Sequence, residues 1–164
     1  MHDDRIVINT GPLLALVAAL GNLTVLNDLY RNVHVPFEVC QEIRAGGVAG
    51  FAVEQFEMAT WLQVRPKRVD LPHFLANALD PGEAAVIQLA LLENIQTVCI
   101  DEAVGRRMAR LCGLQLTGSI GILLRAKREG VPFVMAEALQ RMRNNGIWLS
   151  QNVLDFAMRE SGEN

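Results

Sequence analysis

Five polar residues carry the chemistry this sequence could perform: Asn9, Glu42, Glu83, Asp101 and Ser119. Asn9 closes the apolar run Ile6-Val7-Ile8, Asp101 follows Thr97-Val98-Cys99-Ile100, and Ser119 follows the run 114–117. Glu83 ends the helix-opening stretch Asp80-Pro81-Gly82-Glu83, and Glu42 shares a helix face with Glu38 four residues earlier. If the apolar runs are parallel strands, these groups converge on the carboxyl edge of one sheet, where ligands and catalytic groups gather. Carboxylates held together repel one another and raise each other's pKa values unless a cation neutralises them. An all-oxygen ligand set suits Mg²⁺ or Mn²⁺, which keep several waters and serve phosphate chemistry. Each residue also has a plain structural reading. Asn9 can satisfy a turn, Glu83 can be a capping-box acid, Asp101 and Ser119 can cap helices, and Glu42 can be solvated. Glu38 and Glu102 read as solvent-facing. The chemistry therefore rests on convergence of the set.

The elements that must position these groups alternate. Pro12 suits the first turn of a helix, with Thr10 or Gly11 at its cap, and apolar spacing over 13–20 stops at Gly21. A second short helix over 22–31 puts Leu23, Leu26 and Leu29 on one stripe. Val33-His34-Val35 reads as a strand closed by Pro36, which opens a helix to 44 with Val39 and Ile43 inward and Gly46-Gly47 as its stop. A helix over 51–60, an edge strand over 61–65 and an irregular surface connection over 67–79 follow. Asp80 caps a helix to about 92, and 97–100 is a buried strand. Helices over 103–112 and 118–129 flank a strand at 114–117; further helices cover 135–143 and 150–159. Buried strands alternating with helices specify an α/β fold with a mostly parallel sheet and right-handed crossovers.

The bulk properties set bounds. The 164 residues fit one domain, with a core over about 5–130 and a C-terminal helical extension over about 131–164. Hydrophobic residues make up 51% of the chain and mean hydropathy is +0.21, which is rich for a monomer. No apolar run is long enough to span a bilayer, and the start lacks a signal-peptide pattern, so a cytoplasmic protein is expected. Cys40, Cys99 and Cys112 lack close spacing and read as reduced thiols; His2, His34 and His73 show no metal-ligand spacing. With net charge −3, any nucleic-acid surface must be local.

Taken in order, Asn9-Thr10-Gly11-Pro12-Leu13, Val35-Pro36 with Glu42, Asp80-Pro81-Gly82-Glu83-Ala84-Ala85, Ile100-Asp101-Glu102 and Thr117-Gly118-Ser119 resemble the PIN domain family. More narrowly, the chain resembles a branch of small prokaryotic PIN-like proteins related to the toxin nucleases of toxin–antitoxin pairs. The resemblance runs from about Ile6 to Arg128. It implies a three-layer Rossmann-like fold with helices on both faces of the sheet, and an RNase site dependent on Mg²⁺ or Mn²⁺. It places Glu42, Glu83 and Asp101 on the family's acidic, metal-binding positions, Ser119 on its hydroxyl or acidic position, and Asn9 on the first-strand acid. Asn9 departs from that pattern by offering a neutral carbonyl oxygen in place of a charge. Glu83 reaches one methylene farther than the Asp many members carry.

The mechanism expected is metal-activated water attacking an RNA phosphodiester in line, with Asp101, Glu42 and Glu83 on the metal and Ser119 and Asn9 orienting water or phosphate. Arg106, Arg107 and Arg110 after Asp101, and Arg125, Lys127 and Arg128 after Ser119, are candidates for RNA phosphates, although a solvated charged face explains any one of them. A degenerate, non-catalytic RNA- or protein-binding module is the alternative. A nucleotide-binding domain is disfavoured, because neither G-x-G-x-x-G nor a P-loop follows any strand. Leu13, Leu16, Leu20, Leu23 and Leu26 exceed what one sheet face obviously needs. The resemblance implies a homodimer and a small antitoxin over the acidic cleft; core packing is the competing explanation. Trp148 is expected to anchor the C-terminal segment on the domain.

Overall fold

The structure, a computed structural model, describes residues 4–46 and 50–163. His2 and Gly47, both read above, lie outside the described residues. In chain order the elements are β1 (Arg5–Ile8), α1 (Thr10–Leu20), α2 (Thr24–Leu29), β2 (Asn32–Val35), α3 (Phe37–Ala45), α4 (Val53–Met58), β3 (Gln63–Val64) and α5 (His73–Ala78). There follow α6 (Pro81–Glu93), β4 (Thr97–Cys99), α7 (Ala103–Leu111), β5 (Gln115–Thr117), α8 (Ser119–Arg128), α9 (Met135–Asn144) and α10 (Gln151–Ser161).

The five strands form one all-parallel sheet in the order β3-β2-β1-β4-β5. Val7 pairs with His34 on one side and Val98 on the other, so β1 is the centre of the sheet. Ile6, Val7, Ile8, Val98 and Cys99 are fully buried, as strands covered by helices on both faces must be. The result is the three-layer α/β architecture expected. The chain runs outward from β1 through β2 to β3, then returns to β4 on the other side. The strand order reverses between β1 and β4, and their carboxyl ends open there as a crevice.

Local chemistry sets the helix ends. Gly21 takes φ 84° and returns its N–H to Val17, a left-handed stop that glycine adopts without a Cβ penalty. Asp80 caps α6 by accepting from the Glu83 N–H at 2.9 Å, with Pro81 at the first helical position. Cys40 and Cys99 are buried and all three cysteines are free thiols. No helix among the described residues is long and apolar enough to cross a membrane.

Several expectations need correction. The cap of α1 is Asn9, not Thr10 or Gly11, and its side chain makes no capping bond. The connection over 67–79 contains α5, whose Leu75 is fully buried against the core. Leu13, Leu16, Leu23 and Leu26 are spent inside the chain: α9 packs on α1, and Arg141 Nε donates to the Ala19 carbonyl at 2.7 Å. The surplus they suggested is core. The C-terminal helices do pack back, through buried Met135, Leu139, Met142 and Ala157, but Trp148 is 83% exposed and anchors nothing. The anchor is Glu163. It accepts from the Met135 and Ala136 N–H groups at the start of α9 and pairs with Lys127 at 2.7 Å.

Candidate active site

The crevice between β1 and β4 is where the polar residues meet. Asn9, 7% exposed, ties the two strand ends together through its N–H to the Cys99 carbonyl at 3.1 Å. Glu42 reaches in from α3 and accepts from Thr10 Oγ1 at 3.1 Å. Gly82, in the first turn of α6, leaves the space in which Glu42 Oε1 and Asn9 Oδ1 come together; a Cβ there would overlap Glu42 Oε1 and stand 3.3 Å from Asn9 Oδ1.

Glu83 is the most constrained acid, at 4% exposure. The Asp80 N–H returns a hydrogen bond to its carboxyl group, completing a capping box, so the structural and chemical readings of Glu83 hold together. Its Oε2 is buried without a hydrogen-bond partner among the described residues. That oxygen lies over Gly105 of α7, where a Cβ would approach it to 2.6 Å. Asp80, Glu83 and Glu102 each bring one carboxylate oxygen to within 4.8 Å of the others. Burial first, then the hydrogen bond and negative charge of Asp80, then the charge of Glu102, push Glu83 up to about 7. Glu42 is also raised, mainly by burial; the bond from Thr10 opposes this, while Asp80 and Glu102 add repulsion. Glu42 therefore feels the same two acids, and four carboxylates share one field.

Asp101 is placed differently. Its Oδ1 accepts the Ser119 N–H at 2.8 Å and its Oδ2 accepts the Ser119 hydroxyl at 2.9 Å. Both oxygens serve the opening of α8, and Ser119 is buried. Gly118 permits this: a Cβ there would crowd Asp101 Oδ1 at 2.7 Å and Arg106 Nη1 at 2.8 Å. Arg106 donates to the Ile100 carbonyl at 2.7 Å, so it stands with Asp101 at the carboxyl end of β4.

Of the residues expected here, Asn9, Glu42 and Glu83 converge around Gly82 and α6, while Asp101 and Ser119 form an adjacent bonded pair. Two acids were missed. Asp80 was read only as a cap; Glu102, read as solvent-facing, is indeed exposed, and both bring a carboxylate oxygen to the cluster with Glu83. Glu38, also read as solvent-facing, is 5% exposed. Among the basic candidates, Arg106 is half-buried beside Asp101, and Arg107 and Arg110 are exposed farther along α7. Arg125, Lys127 and Arg128 lie in the last turn of α8, which runs back toward the opposite edge of the sheet. Arg125 there donates to the Leu29 carbonyl, just before β2, and pairs with Glu129. Lys127 is held by the Phe133 carbonyl and Glu163.

An all-oxygen donor set with an orphaned, buried carboxylate oxygen fits a hard divalent cation, which would satisfy Oε2 and remove the mutual repulsion. Against known proteins, a family profile described as PIN domain matches residues 5–163. No curated protein matches the chain. PIN domains are generally metal-dependent nucleases, and the carboxylate cluster at the strand-order reversal accords with that chemistry. The chain belongs to the PIN domain family.

Proposed function

We propose that this protein is an endoribonuclease dependent on Mg²⁺ or Mn²⁺, of the kind found as toxins in toxin–antitoxin pairs. The observation that carries the reading is Glu83: a buried acid with an unpartnered oxygen, pressed against Asp80 and Glu102 at the reversal point of a nuclease-type fold. Glu83, Asp80 and Glu102 would hold the cation, with Glu42 at its margin. The cation supplies water activation and charge neutralisation at a phosphodiester. Burial first, and then Asp80 and Glu102, hold the Glu83 proton in the metal-free site, so Glu83 would have to release that proton to serve as a ligand. Asp101 takes the Ser119 hydroxyl proton, which fixes that hydroxyl in one orientation at the opening of α8. Asn9 offers a neutral carbonyl oxygen beside Glu42, and Arg106 brings positive charge to the same edge for RNA phosphate.

Because Asn9 carries no charge, the second reading is a non-catalytic module that binds RNA or a partner chain. A homodimer and a small antitoxin belong to the proposal as partners; the exposed Val104, two residues past Glu102, offers apolar contact to a segment covering the acids. The test is cleavage of structured RNA by purified protein with Mn²⁺, against Glu83→Gln. Loss of cutting in the variant supports the reading. Equal cutting by both overturns it, and RNA binding with no cutting by the wild type puts the non-catalytic module in its place.

A further inference from the structure

Helix α7 carries its charge unbalanced. From Ala103 to Leu111 it includes Arg106, Arg107 and Arg110 and no acid. Elsewhere arginines find carboxylates, as Arg44 does in Glu57 and Arg125 in Glu129. Arg106 is turned inward to the Ile100 carbonyl. Arg107 and Arg110 are exposed, and neither has a hydrogen bond or ion pair among the described residues. Beside them runs an apolar stripe: Val104 is 61% exposed, Leu111 is 74% exposed, and Met108 between them is half-buried. At about 3.6 residues per turn these three fall within roughly 60° of one another, with Arg107 roughly 40° from Leu111 and Arg110 on the flank beyond it. The other side of α7, at Gly105 and Ala109, is buried.

We infer that this face of α7 docks an amphipathic helix of a partner protein, one with apolar anchors along its stripe and acids on its flank. A stripe at i, i+4 and i+7 on a convex helix is complemented by a second helix laid along it, whose side chains fill the gaps between Val104, Met108 and Leu111. Val104 and Leu111 are about 10 Å apart along the axis, so two turns of the partner cover both. Aspartate or glutamate beside the partner's stripe would meet Arg107 and Arg110, which lack a counter-charge from their own chain. That charge disfavours a second copy offering the same face, since a two-fold pairing of α7 would set arginine against arginine. The stripe disfavours RNA: phosphates would leave Val104 and Leu111 in water, and α7 has no aromatic ring on which a base could stack. Glu102 is the residue that caps α7 and Gly105 lies under Glu83, so the partner's helix reaches the edge of the acid cluster. The docking face rests on α7 alone and stands apart from the nuclease reading.

The experiment titrates the full chain with three synthetic helical peptides and follows fluorescence anisotropy and amide chemical shifts. The first has leucines at i, i+4 and i+7 with flanking glutamates; the second exchanges the glutamates for lysines, and the third exchanges the leucines for serines. The first should bind at least about tenfold tighter than either other, weaken as salt rises, and move the Val104, Met108 and Leu111 signals. Leu111→Ser should cost this peptide about tenfold in affinity, as should Arg107→Ala combined with Arg110→Ala. Thermal melts should stay unchanged, because all three residues are exposed. Equal affinity for the first two peptides, no binding of the first, or binding that survives Leu111→Ser overturns the docking face. Oligouridylate that moves the α7 signals where the acidic peptide does not would overturn it in favour of RNA. A dimer in light scattering that Leu111→Ser dissolves, in place of peptide binding, would overturn it in favour of a second copy. A chain that binds the acidic peptide and cuts no RNA would sink only the nuclease reading, and one that cuts RNA and ignores the peptide would sink only the docking face.

Discussion

Replacing Glu83 by Gln should make the metal-free protein more stable at alkaline pH, although it removes an acid from the centre of the site. Folding raises the Glu83 pKa from the ordinary 4.5 to about 7, so the fold favours its neutral form. The sign follows: this contribution is fully present below pH 4.5, declines as pH rises through about 7, and is gone above it. The gap between the two values corresponds to roughly 3 kcal/mol at full burial, and Glu83 is 4% exposed. Gln keeps the acceptor for the Asp80 N–H and carries no charge at any pH. For a chain of this length, 3 kcal/mol moves a melting temperature by roughly 6–12 °C. Thermal melts of both proteins in chelator should therefore nearly coincide near pH 4.5 and separate by about that amount at pH 8, with the variant higher. Added Mn²⁺ should reverse the order at pH 8, since only the wild type gains from ligand binding. A melting difference independent of pH would refute the argument that Glu83 is held against repulsion and burial.

Asn9→Asp adds a charge to the same field, so melts should show a loss of metal-free stability at pH 8, and calorimetry a gain in Mn²⁺ affinity. Gly82→Ala places a Cβ on Glu42 Oε1, the movable end of a long side chain; stability should change by under about 1 kcal/mol while Mn²⁺ affinity, read by titration, falls about tenfold or more. Asp101→Ala removes both acceptors at the start of α8 and should cost about 1–2 kcal/mol by chemical denaturation, whereas Asp101→Asn, keeping one, should cost less. Glu163 has its pKa lowered chiefly by the bond from Lys127, so its contribution is present above the ordinary carboxylate value and lost as pH falls; Glu163→Gln should flatten that acid limb of the stability curve.

What could be read from the sequence was what short-range chemistry determines. Asp80, Pro81 and Glu83 announce a helix start within four residues, and the runs ending at Asn9 and Asp101 announce buried strands, so the sheet edge and most of its polar groups were foreseeable. The membership of the cluster was not. Glu102 and Asp101 are neighbours in sequence, and nothing local says which turns toward Glu83 and which toward Ser119; the answer depends on how α7 and α8 seat against β4 and β5. Glu38 looked solvated because its burial comes from the 65–69 segment folding over it, about thirty residues away. The leucines of α1 and α2 looked surplus because the helices that cover them, α9 over α1 and α8 over α2, arrive late in the chain. Trp148 failed as an anchor for the converse reason: size and hydrophobicity give no direction, and the task fell to Glu163, two residues past the end of α10.

The central position of β1 has a consequence for synthesis. β2 can pair with one side of β1 as soon as both have left the ribosome, but the other side waits for β4, some ninety residues later. At usual translation speeds that is roughly 5–20 s with the apolar run Ile6-Val7-Ile8 lacking a neighbour on one side, an interval in which chaperones and aggregation compete for it. Glu102 is made after β4, so it cannot join Asp80 and Glu83 until that strand has been synthesised.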